Sequence, residues 1–111
     1  MAQQFFKIAV SVEKLRDYCL SEMHPRGRHK ARVFKSRLGI GADDAELLAL
    51  ALEEAASERQ DQMLRGEIDA FGARYTIDFP LVTAFGSGTI RSAWIVRTGE
   101  DVLRFVSCFV L

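Results

Sequence analysis

Apolar positions along the first half of the chain recur at helical spacing. Val12, Leu15 and Cys19 form one stripe, with Tyr18 alongside; Ser11 is placed to cap that helix, and Glu13 falls in its first turn. Pro25 should end the helix, because the residue before proline is pushed out of the helical region. His24 is therefore expected on a turn or extended segment. Gly27 permits a further turn, and Ala31, Phe34 and Leu38 predict a second helix from about Arg28 to Leu38. Gly39 followed by Ile40 reads as a left-handed C-cap with its hydrophobic contact. Asp43, with Glu46 three residues on, predicts a capping box opening a third helix. Its expected stripe is Leu47, Leu48, Ala51, Leu52 and Ala55. The polar, aperiodic stretch Asp61–Gly66 is expected to fray.

From Ala70 the period changes to two. Tyr75, Ile77 and Phe79 alternate with Arg74, Thr76 and Asp78, giving a half-buried strand that Pro80 should end. Phe85-Gly-Ser-Gly reads as a turn. Ile90–Arg97 follows as a strand, with Ile90, Ser92, Trp94 and Val96 on one face. Thr98-Gly-Glu-Asp makes a hairpin connection into a last strand, Val102–Val110. There Leu103, Phe105, Ser107 and Phe109 are assigned to one side, and Val102, Val106 and Val110 to the other. Phe5–Val10 reads as a short strand or extended lead-in. The expectation is an α+β fold: two to three N-terminal helices packed on one face of a C-terminal antiparallel sheet of three to four strands.

Composition bounds this picture without altering it. The 111 residues, 49% hydrophobic and 27% charged, suit a single domain over 1–111 with one core. Cys19 and Cys108 are too few for a disulfide scaffold, and buried free thiols in a reducing compartment are expected. MAQQFFKIAV has no basic leader, and no stretch reaches the roughly 18 apolar residues of a membrane span. A cytoplasmic protein without membrane contact is the expectation. Neither GxxxxGK[ST], GxGxxG nor HExxH occurs, and no Cys/His cluster argues for a metal, so no cofactor is expected.

Charge changes the picture more. The net charge is zero, yet Met23–Arg37 holds Arg26, Arg28, Lys30, Arg32, Lys35 and Arg37 with no acid. Asp43–Asp69 reverses this balance, carrying Asp43, Asp44, Glu46, Glu53, Glu54, Glu58, Asp61, Glu67 and Asp69 against Arg59 and Arg65. One face thus suits an anion, unless the acidic helix neutralises the basic one within the fold. In HPRGRHKA a proline–glycine turn gathers His24, Arg26, Arg28, His29 and Lys30 at a helix start, where free N–H groups and the dipole also favour phosphate. RNA cleavage without a metal needs a base for the 2′-hydroxyl, an acid for the leaving oxygen and cations for the phosphorane. His24 and His29 are candidates for proton transfer, with Arg26, Arg28 and Lys30 as stabilisers. The structural alternatives are a backbone-bonded turn for His24 and a solvated first turn for His29 and Lys30. Trp94 with Arg91 could stack on a base, or Trp94 could be core; Ser107 could be a catalytic or a satisfied core hydroxyl.

Three stretches together carry a resemblance: Glu13-Lys-Leu-Arg-Asp-Tyr18, then His24-Pro-Arg-Gly-Arg-His-Lys-Ala-Arg-Val-Phe34, then Leu38-Gly-Ile40. They resemble an uncharacterised bacterial domain-of-unknown-function family in which a KLxxYLL stretch precedes HPxGxxKAxxF and LG. Gly72-Ala-Arg-Tyr, Arg91-Ser-Ala-Trp-Ile-Val and Leu103-Arg-Phe-Val-Ser also fit its GxxY, TxWII and LVTA pattern. The likeness spans nearly the whole chain and departs at Phe105-Val-Ser-Cys, where Ser107 would take the place of a threonine. Members look like free-standing proteins or C-terminal modules of secreted toxin-like proteins, and the helix-then-sheet order is similar to small metal-independent ribonuclease toxins. The resemblance implies RNA as a substrate and an acidic antitoxin or immunity protein as a partner. A non-enzymatic binding module, or an immunity-like partner using the acidic helix Asp43–Glu58, is the other expectation.

Overall fold

In the computed structural model, which describes residues 6–111, three helices precede four strands of a five-stranded sheet. The strand order is β1-β5-β4-β3-β2, with β1 (Lys7–Ala9) parallel to β5 (Val102–Val110) and the other pairings antiparallel. The α+β order is as expected, and the sheet is larger than expected. β1 falls within the predicted lead-in, of which Phe5 lies outside the described residues. The buried Gln60 holds the chain just before β1: its amide accepts the Phe6 N–H at 2.8 Å and donates to the Phe6 carbonyl at 2.9 Å.

The Ser11 hydroxyl caps α1 (Val12–Lys14), accepting the Lys14 N–H at 3.1 Å. The helix then widens into a π-helical segment, Leu15–Cys19, closed by the Leu20 N–H on the Leu15 carbonyl at 2.8 Å. The wider turn sends Leu15, Cys19 and Leu20 all into the core. It also ends the helix at Leu20, ahead of Pro25. α2 (Arg28–Leu38) buries Ala31, Phe34 and Leu38. Gly39 closes it at φ 67°, with paired bonds from Gly39 N–H to Lys35 O and from Ile40 N–H to Phe34 O.

The third helix starts differently from the prediction. Asp44, not Glu46, reaches back to accept the Gly41 N–H at 2.9 Å across a 3₁₀ turn, Ala42–Asp44. α3 (Ala45–Arg59) then buries Ala45, Leu48, Ala49, Leu52, Ala55 and Ala56. Leu47, assigned to its stripe, is 55% exposed. Leucines and alanines occur all round this helix, so its periodicity left the facing side open; small alanines line the side turned inward.

Asp61–Gly66 does not simply fray. After a 3₁₀ turn at Gln60–Gln62 the chain enters β2 (Leu64–Asp69), an edge strand with every residue exposed. β3 (Gly72–Thr83) continues through Pro80 instead of ending there. The β2 pairing reaches only to Thr76, so Pro80 lies on an edge stretch where its missing N–H costs no ladder bond. β4 (Gly86–Arg97) accordingly begins before Ile90.

The last strand changes phase. Ala93 opposes Ser107 and Trp94 opposes Phe105, which leaves Val106 as the extra residue of a β-bulge. Leu103 and Phe105 point into the core before it, Cys108 and Val110 after it. Ser107 and Phe109 therefore do not share a face with Leu103 and Phe105, and Val110 is not on the outer side. Trp94 fills the core centre, edge-to-face with Phe105 at 5.6 Å between centroids. Its indole N–H donates to the buried Ser92 hydroxyl at 2.8 Å, which donates to the Ile77 carbonyl at 2.7 Å.

Candidate functional site

The basic turn is built on His24. Its Nδ1 accepts the backbone N–H groups of Arg26 at 3.1 Å and Gly27 at 3.2 Å, while its carbonyl accepts the Arg28 N–H at 3.0 Å. Accepting at Nδ1 leaves the neutral ring with its proton on Nε2. The ring also lies against Tyr18, 4.4 Å between centroids. Gly27 is buried here, and a Cβ on it would meet the Tyr18 carbonyl oxygen at 2.6 Å. His24 and Gly27 thus seat the turn on the π-helical segment and aim α2. The turn reading of His24 describes its Nδ1; only Nε2 remains for other chemistry.

Arg26, Arg28, His29 and Lys30 are all exposed. Among the described residues the ion pairs are Arg16–Asp17, Arg74–Asp69, Arg91–Asp78 and Arg104–Glu100. None involves a cation of Met23–Arg37, so the acidic helix α3 does not neutralise the basic segment by contact.

The Lys30 ammonium lies 4.7 Å from the centroid of the Phe109 ring, bringing the first turn of α2 against the end of β5. Past the bulge, alternation puts Ser107 on the same side of β5 as Phe109. Ser107 is half-buried, and Arg91 stands opposite Phe109 in the β4–β5 register. The fold therefore groups Lys30, Phe109 and Ser107, with Arg91 on the neighbouring strand.

Arg91 is not a free cation. Its Nε donates to Asp78 Oδ1 at 2.9 Å and its Nη2 to Oδ2 at 2.8 Å. This two-pronged bond, reinforced by the opposite charges, holds the Asp78 carboxyl below the usual carboxylate range and raises Arg91. Trp94, expected beside Arg91 as a stacking platform, is 1% exposed. Three residues along a strand put it on the opposite face, so no base can stack on it from solvent. The aromatic ring beside Lys30 is Phe109, which the alternating pattern assigns to an apolar strand face. Only the bulge at Val106 re-aims it, and the apolar run VLRFVSCFV carries no local sign of that bulge. Among the described residues no group of three or more His, Cys, Asp or Glu side chains is arranged to hold a metal ion.

A family model described as domain of unknown function (DUF6883) matches residues 3–111. No curated protein matches the chain. Among solved structures, one chain of a contact-dependent growth inhibition toxin–immunity protein complex from Klebsiella pneumoniae 342 has a similar fold. The TM-score is 0.69 at 15% identity, covering 92% of this chain and 98% of that one. At that identity the likeness is one of fold. The family match runs through the turn, α2 and all of β5, and the chain belongs to the DUF6883 family.

Proposed function

We propose that this chain is a toxin-type, metal-independent endoribonuclease module of a bacterial toxin–antitoxin or competition system. The observation that carries the reading is the basic turn and helix start, which enter no ion pair among the described residues and which Lys30 brings against Phe109 on the face of β5 that also bears Ser107. Arg26, Arg28 and Lys30 would neutralise phosphate, with the α2 N-terminus adding its dipole. His29, exposed in the first turn, is the imidazole with both nitrogens uncommitted to the turn and takes the proton-transfer role. His24 contributes through Nε2 or through positioning, and Ser107 through its hydroxyl. Arg91 would touch substrate as one half of its pair with Asp78. The fold shared with a chain of a toxin–immunity complex supports the competition setting and a partner protein; an acidic partner is what the basic turn would favour.

Incubating the purified chain with RNA in EDTA tests the reading. Cleavage is expected, with products ending in cyclic phosphate; intact RNA across the pH range at high protein concentration would exclude it. A second reading, an immunity-like or non-enzymatic binding protein, rests on α3. Leu47 and Leu50 are exposed there among Glu46, Glu53 and Glu54, a surface fitted to a basic partner. That reading predicts tight binding to a cationic protein and no effect on RNA.

A further inference from the structure

β1 pairs with β5 only over Val102–Arg104, and past Ala9 the chain leaves the sheet for α1. Among the described residues, Phe105 and Val106 therefore have no strand beside them on that side. A groove of about 590 Å³ opens in this notch, within the roughly 300–1,000 Å³ of ordinary ligand sites. Ile95 and Val106, both half-buried, give it an apolar floor. Lys14, Arg97 and Arg104 line it against a single carboxylate, that of Glu53. Lys14 and Arg97 are exposed and enter no ion pair among the described residues. Arg104 is steadied by Glu100: its Nε and Nη2 donate to the same carboxylate oxygen at 3.1 and 2.9 Å. Val106 directly precedes Ser107, so the groove runs into the strand segment that carries Ser107 and Phe109. From Val106 to Phe109 is about 10 Å of strand, at ~3.3 Å per residue.

We propose that this groove is a second contact for the RNA strand that meets the basic turn, a few nucleotides further along it. The inference rests on the reading of that turn as an RNA site. A strand laid along β5 has phosphates near Arg28 and Lys30 at one end and near Lys14 and Arg97 at the other, with Ser107 between them. The occupant is single-stranded RNA, because only an unstacked base can lie on the floor formed by Ile95 and Val106. That floor offers no donor or acceptor to read a base edge, so this end of the site tolerates any sequence. The groove thus adds affinity and fixes the direction of the strand, and leaves the chemistry to the residues around Lys30 and Ser107.

The test is fluorescence anisotropy of the whole chain with a labelled 2′-O-methyl octanucleotide, which lacks the 2′-hydroxyl that cleavage needs. Lys14→Gln and Arg97→Gln should each lower the slope of log affinity against log salt by about 0.7. The reductions from Arg28→Ala and Arg97→Gln should add in the double variant, because one strand touches both. Arg65→Gln, an exposed cation on β2 at the far edge of the sheet, should leave the slope unchanged. The single variants should melt with wild type. Unchanged slopes for Lys14→Gln and Arg97→Gln would overturn the proposal, as would reductions that fail to add or an octanucleotide that does not bind. Cleavage of unmodified RNA in EDTA is scored separately. Cleavage with unchanged groove slopes removes the groove and keeps the ribonuclease reading; groove-dependent binding without cleavage does the reverse.

Discussion

His24 and His29 stand on one basic turn with different surroundings. The His24 ring takes two backbone donors and packs on Tyr18, whereas His29 is exposed on the first turn of α2. Replacing His24 with alanine removes the acceptor of one exposed and one part-buried N–H and should cost about 0.5–1.5 kcal/mol per bond lost in a denaturant titration. His29→Ala should leave the melt within about 0.5 kcal/mol and abolish RNA cleavage. Equal melts for both variants would contradict this division. The serines separate in the same way. Ser92→Ala removes the acceptor of the Trp94 indole and the donor to Ile77, so it should destabilise. Ser107→Ala, on the outer face past the bulge, should be read in cleavage and not in the melt. Asp78 gives a dependence on pH. Its carboxyl sits below the ordinary value of 3.8 because of Arg91, so the stability it contributes is present above that value. This contribution is lost as the pH falls through the lower folded-state value. The difference between wild type and Asp78→Asn should therefore be constant at neutral pH and shrink below about pH 4. It should stay under about 1 kcal/mol and weaken in salt, since both partners are partly exposed.

At the scale of elements, the turn that aims α2 makes its own prediction. Gly27 has the Tyr18 carbonyl oxygen where a Cβ would go, while a Cβ on Gly66 in the exposed strand β2 would meet nothing nearer than 3.6 Å. Gly27→Ala should lower the melting temperature well beyond Gly66→Ala, and a structure of the variant should show the Lys30–Phe109 contact broken. Much of this framework was legible from spacing. Phe34, Leu38 and Leu52 fall where the helical period put them, and Gly39 caps α2 as its dipeptide with Ile40 implied. What was not legible depended on partners distant in sequence. The exposed strand β2 has no buried side to impose alternation, so its beginning within Asp61–Gly66 reads as aperiodic. Pro80 is tolerated because β2 stops short of it, which no local rule contains. The candidate site suffered most from the bulge at Val106: a period-two reading carried through it puts Phe109 on the face of Leu103 and Phe105, and so hides an aromatic ring that meets Lys30.

Across the whole molecule, core and charge occupy different parts of the structure and should respond separately. Phe34, Leu38, Leu48 and Leu52 are fully buried, so truncation of any of them to alanine should cost about 2–5 kcal/mol. Arg26, Arg28 and Lys30 are exposed and enter no ion pair among the described residues, so their alanine variants should unfold within about 0.5 kcal/mol of wild type. Their effect belongs in binding. A chain of zero net charge gains no affinity for RNA from its total charge, so any salt-dependent affinity must come from the uneven placement of its cations. If Arg26 and Arg28 each neutralise a phosphate, each alanine variant should lower the slope of log affinity against log salt by about 0.7, the value for a single strand. Glu53→Gln and Glu54→Gln alter the net charge by as much per substitution but lie on α3. They should raise affinity weakly and leave the slope unchanged. Filter binding at several salt concentrations separates these outcomes. Equal slopes for Arg26→Ala, Arg28→Ala and wild type would mean that RNA meets some other face, and the assignment of the basic turn as its site would fall.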